Sequence, residues 1–426
     1  MQIIKHPKRA DWDRLLKRPV LETLSLEASV SNILQQVKAS GDEALIRFST
    51  IFDKVSLDEL LVSKNEIKEA AALISKELKD AIALALKNIE LFHQQQIHKD
   101  ESIETMPGVL CWRKTVAIEK VGLYIPGGTA PLFSTLLMLA TPAKIAGCKE
   151  IIICTPPGKD GKINAAILYT AQLVGITKIF KTGGAQAIAA MAYGTETIPK
   201  VYKIFGPGNQ YVTCAKQLVQ KDAVAIDMPA GPSEVCIMAD DTANPVFVAA
   251  DLLSQAEHGV DSQVLLVSNS EKIINEVLIE LNHQLQQLPR KEFAEKALEN
   301  SKAILLTTVD EMIDIVNEYA AEHLIISCKN DEQIAEKIQN AGSVFLGNFS
   351  PESVGDYASG TNHTLPTNGY ARAYSGVSVD SFVKKITYQK LTEEGLKNIG
   401  KTVEVMAAAE GLEAHKNAVT LRIQNL

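Results

Sequence analysis

Between Val121 and Leu346 the chain alternates short β-branched runs with longer helical stretches, and few architectures accommodate that alternation. The runs are Val121–Ile125, Ile151–Cys154, Lys178–Lys181, Val224–Asp227, Val235–Met238, Val264–Val267, Ile304–Leu306 and Ser343–Leu346. Short apolar strands separated by helix-length segments pair in parallel, because a parallel pair needs a crossover that a helix supplies. There are too many such strands for one comfortable sheet, so the blocks 121–234 and 235–347 each read as a sheet with its own helices.

The 426 residues allow two to three domains at about 150 residues each. The expected fold is therefore α/β: two Rossmann-like parallel-sheet domains, a helical N-terminal region and a helical C-terminal tail. Residues 1–20 read as an N-terminal helical arm. Residues 21–120 together with 235–377 read as the α/β domain holding most chemistry-bearing side chains, and 121–234 as the other. Within the first hundred residues, Leu26–Leu34 and Asn65–Ile74 repeat apolar residues every three or four positions, the period of a one-sided helix. From about residue 378 the strand signal disappears, and 378–426 reads as an Ala-rich helical tail that needs another surface to pack on.

Charge and cysteine usage exclude several classes. With 43 basic against 51 acidic residues the net charge is −8, so no overall field draws a polyanion, and nucleic acid is not an expected partner. No stretch approaches the roughly 18 apolar residues that a membrane span needs, and Met1–Arg9 has no apolar region behind its basic residues, so a cytoplasmic location is expected. Cys111, Cys148, Cys154, Cys214, Cys236 and Cys328 are scattered without a CxxC pair, mostly in apolar runs, and read as reduced core cysteines.

Three glycine clusters follow predicted strands: Pro126-Gly127-Gly128, Gly183-Gly184-Ala185-Gln186 and Gly206-Pro207-Gly208-Asn209. Such loops let backbone N–H groups approach a phosphate, although each alone is an ordinary turn and none fits GxGxxG. Of the histidines, His6, His93, His98 and His283 sit among polar residues and read as solvated surface. The other four keep richer company. Gln255 and His258 stand three apart before Gly259; Glu322-His323 opens the apolar run Leu324–Cys328; Asp356 and His363 share the glycine-bracketed loop Gly355–His363, whose composition makes no helix; Glu410 and His415 lie in the tail, on one site only if Gly411 interrupts the helix or their long side chains converge. Two histidines, an aspartate and an amide oxygen suit Zn²⁺, but ligands so far apart in sequence establish nothing by spacing.

Taken together, these segments resemble the histidinol dehydrogenase family. Ile226-Asp-Met-Pro-Ala-Gly-Pro-Ser-Glu-Val235 reads as the family signature, and Ser254–Gly259, Glu322–Leu324, Gly355–His363 and Ala414–Ala418 accompany it in the family's order. The resemblance implies one Zn²⁺ per subunit on Gln255, His258, Asp356 and His415. It implies L-histidinol bound against that ion, with Ser233, His323, His363 and Glu410 as further contacts. NAD would meet Tyr124, Gln186 and Asn209, and the enzyme would be a homodimer with shared active sites. The implied reaction oxidises L-histidinol to L-histidine with NAD through a bound aldehyde, in histidine biosynthesis. Alcohol oxidation needs a base near neutrality, for which His323 is the candidate, and hydration of the aldehyde needs a water activator, for which Glu322 stands beside it.

Overall fold

The computed structural model describes residues 1–19, 23–97, 99–127, 131–221, 223–228 and 231–426. Among these, fourteen strands form three sheets. In chain order they are β1 (Gln2–Lys5), β2 (Ser102–Met106), β3 (Val109–Ala117), β4 (Lys120–Tyr124), β5 (Glu150–Thr155), β6 (Ile179–Lys181), β7 (Lys203–Phe205), β8 (Ala225–Ile226), β9 (Glu234–Ala239), β10 (Gln263–Ser268), β11 (Lys302–Leu305), β12 (His323–Ser327), β13 (Ser343–Leu346) and β14 (Val383–Leu391).

The first sheet is fully parallel in the order β6-β5-β4-β7-β8. The chain enters at the centre, runs outward to β6 and returns on the far side of β4. That reversal leaves a crevice beyond the carboxyl ends of β4 and β7, the place where open α/β sheets bind ligands. The second sheet is also parallel, in the order β1-β11-β10-β9-β12-β13, and reverses between β9 and β12. Its central strands are buried along their whole length, which explains their unbroken apolar runs.

Four features differ from the sequence reading. The arm 1–20 opens with a strand: β1 pairs with β11 at the sheet edge before a short helix, Trp12–Leu15. Three-stranded antiparallel pairing of β14-β3-β2 puts a nine-residue strand inside the supposed helical tail. The helices Thr23–Phe48, Lys64–Leu73 and Lys76–Gln94 pack mainly on the first sheet: Val30, Leu45 and Phe48 share a core with Tyr124 and Ile188, and Ile67, Ile82 and Ile89 share one with Val121 and Leu136, while the last helix also touches the 235–377 block through Asn88 and His93. Fourth, His93 is fully buried instead of solvated. Its Nδ1 donates to the Ile89 carbonyl at 2.8 Å, its Nε2 accepts from Asn362 at 3.4 Å, and burial lowers its pKa. His6 and His283 are exposed, and His98 lies outside the described residues.

Candidate active site

The most chemically loaded place in the molecule is the amino end of the second sheet, opposite to the edge that open α/β sheets ordinarily use. Here β12 begins at His323, in register with Val235 of β9, so Glu322 and Glu234 stand side by side just outside the pairing. The Glu234 N–H donates to Glu322 Oε2 at 2.9 Å, and its carbonyl lies 3.3 Å from His323 Nδ1. Glu322 and His323 are 7% and 3% exposed, and Glu322 Oε2 is 3.7 Å from His323 Nδ1. Burial pushes the Glu322 carboxyl up to about 8, an effect that His323 only partly offsets. Burial also works against charge on His323, but the carboxylates of Glu322 and Asp356 outweigh it and raise the imidazole. Glu322 and His323 are thus a buried carboxyl and imidazole whose charges bear on each other.

Around this pair the fold gathers residues from distant segments. The helix Pro245–Ala256 starts on an Asn244 cap, with Pro245 in the first turn, and ends two residues before His258, which occupies the following turn rather than the helix. Gln255 is 1% exposed; its Nε2 lies 3.2 Å from His323 Nδ1, while its Oε1 is buried without a partner. His258 is exposed on the turn, with Nδ1 3.4 Å from Ser233 Oγ and its ring close enough to Asp356 and His323 to feel their charge. Asp356 stands on a short helix, Glu352–Tyr357, where the sequence reading has a loop, and its Oδ1 is 3.2 Å from His323 Nε2. His363 follows in the same connection with Nε2 buried and unpaired. Gln255, His258 and Asp356 therefore converge, and the orphaned oxygen of Gln255 is a neutral donor of the kind a divalent cation takes.

Glu410 and His415 are not part of this convergence within the chain. The helix Glu393–Ala409 is followed by Glu410 and by Gly411 at φ 72°, and a second helix, Glu413–Gln424, folds back on it. The break that lets both residues share a site is present, but both are exposed on this hairpin. Among the described residues no group of three His, Cys, Asp or Glu side chains could hold a metal ion. The second helix buries none of its residues in the chain, and Val405, Met406, Leu412, Leu421 and Leu426 are exposed apolar side chains on or beside the hairpin.

A cleft of about 1000 Å³ lies over the carboxyl ends of the first sheet, and Tyr124, Gln186 and Asn209 all line it. Tyr124 closes β4 and accepts from the Gly184 N–H at 3.1 Å. Asn209 caps the helix Gln210–Gln220, its Oδ1 accepting from the N–H groups of Tyr211 and Val212 at 3.1 and 3.2 Å. Gly206, at φ 129°, passes so close to the Tyr124 carbonyl that a Cβ would collide with it. Below the loop the buried Lys216 ammonium pairs with Asp227 and donates to the Gly206 carbonyl at 2.8 Å, while the Gly206 N–H donates to Asp227 Oδ2 at 2.8 Å. The Gly206 loop is thus anchored from beneath. Gly128 of the first glycine cluster lies outside the described residues.

Glu352, one helical turn before Asp356, is 1% exposed and accepts from Ser254 Oγ, leaving Oε2 buried and unpaired. Its four-residue spacing from Asp356 on one helical face is the only sequence signal it carries. Five of the six thiols are poor nucleophiles: Cys148, Cys154, Cys214, Cys236 and Cys328 are buried, and burial raises every one of them, the opposite of activation.

A family model described as histidinol dehydrogenase matches residues 16–423. The chain is 63% identical over 426 residues to a histidinol dehydrogenase of Bacteroides thetaiotaomicron, covering all of both chains. It is 52% identical to a chloroplastic histidinol dehydrogenase of Arabidopsis thaliana, over 97% of this chain and 89% of that one. The crystal structure of histidinol dehydrogenase from Elizabethkingia anophelis superposes with a TM-score of 0.97 at 57% identity, over 100% of this chain and 98% of that one.

Proposed function

The chain belongs to the histidinol dehydrogenase family, and from that premise we propose how its residues divide the work. The reaction is the NAD-dependent four-electron oxidation of L-histidinol to L-histidine through a bound aldehyde, the closing steps of histidine biosynthesis. The observation that carries the assignment is the buried Glu322–His323 pair, set at one sheet edge within reach of Gln255 and Asp356.

His323 is the base for the hydroxyl proton. When the imidazole has taken that proton, Nδ1–H faces the Glu234 carbonyl at 3.3 Å, which stabilises the charged form where it arises. Glu322 activates the water that hydrates the aldehyde; as a carboxyl lifted toward neutrality by burial, it is matched to taking and returning a proton near neutral pH. Ser233 and His363 flank the same space and orient the substrate.

The residues present fit Zn²⁺: Gln255 Oε1 is buried and unpaired, and His258 and Asp356 add the nitrogen and carboxylate that the ion prefers. Gln255, His258, Asp356 and His415 would hold it, one per subunit. When bound, the ion supplies a Lewis-acidic anchor for substrate nitrogens. With Asp356 so engaged, less negative charge faces His323, and the imidazole moves toward the neutral form that a base requires.

The cleft on the first sheet fits a dinucleotide, with backbone N–H groups, a capped helix start and close glycine contacts among its walls. NAD, which takes the hydride at each oxidation, would meet Tyr124, Gln186 and Asn209 there. The tail supplies the remaining residues from a second copy of the chain. A helical hairpin with exposed apolar side chains, carrying Glu410 and His415 outside their own chain's convergence, supports a homodimer in which each tail completes the other subunit's site. Among the described residues no helix is long and apolar enough to cross a membrane, and we assign the enzyme to the cytoplasm. Mixing the purified protein with L-histidinol and NAD⁺ and following NADH absorbance tests the activity. Absence of NADH from zinc-loaded protein would refute it.

A further inference from the structure

We propose that Arg18, in the N-terminal arm, is a positioning residue of the active centre that acts through Glu234 on the Glu322–His323 pair. The inference rests on the reading of that pair as catalytic. Arg18 follows the short helix Trp12–Leu15, and its side chain is 13% exposed. Its Nε and Nη2 donate to the two carboxylate oxygens of Glu234 at 3.0 and 2.8 Å, and Nη2 donates also to the Tyr319 carbonyl at 2.7 Å. The guanidinium lies 3.9 Å from the centroid of the Tyr319 ring. From the other side the Asn368 N–H donates to Glu234 Oε1 at 2.6 Å. A fork of this kind fixes both oxygens of a carboxylate at once, which a lysine does not.

The consequence lies in the main chain of Glu234. The residue whose side chain Arg18 holds is the one whose N–H grips Glu322 and whose carbonyl faces His323 Nδ1. Glu234 is 2% exposed and stands next to a second buried carboxyl, Glu322. Without the guanidinium its carboxylate keeps only the Asn368 N–H as a donor, and the side chain turns outward. Turning outward moves the first peptide of β9, and with it the donor that aims the Glu322 carboxyl. A displacement near 1 Å at reacting groups is enough to cost about a hundredfold in rate. The arm has anchors besides Arg18: Trp12, Leu15 and Leu16 are buried, and β1 is paired with β11.

The test compares zinc-loaded Arg18→Ala, Arg18→Lys and Glu234→Gln with the parent protein and with Glu322→Gln. Arg18→Ala should lower kcat ten- to a hundredfold with KM for NAD⁺ within about twofold, and guanidinium or ethylguanidinium in the assay should restore part of the rate. Arg18→Lys should fall between the two. Glu234→Gln keeps the size and the Asn368 contact but loses the charge, and serves if Arg18→Ala does not fold; it should shift the pH profile of kcat. Adding Arg18→Ala to Glu322→Gln should cost less in aldehyde oxidation than it does alone. The inference is overturned if both single variants keep kcat within about twofold while Glu322→Gln is crippled. It is equally overturned if Arg18→Ala loses rate without rescue and additively with Glu322→Gln. Should Glu322→Gln itself be fully active, the reading of the catalytic pair fails instead.

Discussion

The main-chain N–H of Glu234 holds Glu322 Oε2 at 2.9 Å, so the first residue of β9 aims the side chain that precedes β12. This bond follows from register: His323 pairs with Val235, which leaves Glu234 opposite Glu322 where ladder pairing ends and a free donor remains. A carboxyl held by one donor and lifted by burial is an adjustable acid–base group, while the adjacent imidazole is held from three sides by Gln255, Glu234 and Asp356.

The two oxidations should separate genetically. Glu322→Gln should impair conversion of aldehyde to acid far more than oxidation of alcohol, whereas His323→Asn should slow both by about 10² to 10⁴. Single-turnover assays starting from L-histidinol and from the aldehyde measure the two steps. Equal losses in both for Glu322→Gln would exclude the division of labour.

Metal removal gives a second expectation. A chelator should abolish activity and Zn²⁺ should restore it, and His258→Ala and Asp356→Ala should each lower the zinc content found by elemental analysis. A neighbour such as Glu352 should matter less for content than a ligand, so Glu352→Gln is expected to retain more zinc than either. Stoichiometric zinc in both ligand variants would refute the set.

The exposed hairpin leads to a complementation experiment. Neither His323→Asn nor His415→Ala should be active alone. In a mixed dimer one site inherits both lesions and the other neither, so co-expression should restore about a quarter of wild-type activity if subunits pair at random. Mixed samples as inactive as the separate variants would mean that each tail serves its own subunit.

The floor of the cleft on the first sheet makes a prediction about stability. Lys216 and Asp227 are 3% and 1% exposed, so Asp227→Leu alone should strand a buried ammonium and cost about 3–5 kcal/mol. The double variant Lys216→Met with Asp227→Leu should recover only part of it, because an apolar pair removes both charges from the core but leaves the Gly206 N–H and carbonyl without their partners. Denaturant midpoints decide the matter, and a double variant as unstable as the single one would show that the pair does more than neutralise itself.

How much of this was legible in the sequence depended on whether a local pattern carried the information. The parallel strands were legible because strands buried on both faces write unbroken apolar runs, as Ile151–Cys154 and Val264–Val267 do. Strand β14 was not: Lys384, Lys385, Thr387, Gln389 and Lys390 make it a ribbon exposed on both faces, and only its pairing with β3 makes it a strand. His93 looked solvated because its sequence neighbours are polar, yet Asn362, far along the chain, buries it. The local order of the segments from Ser233 to Ala418 was enough to indicate the family, since residue types at fixed spacings survive in one dimension. Convergence is a different kind of information. That Gln255, Glu322 and Asp356 face one point at the amino end of a sheet, that Arg18 reaches that point through Glu234, and that Glu410 and His415 do not reach it within their own chain were decided by strand order, register and helix placement alone. Those depend on contacts between residues tens to hundreds of positions apart, and no spacing along the chain encodes them.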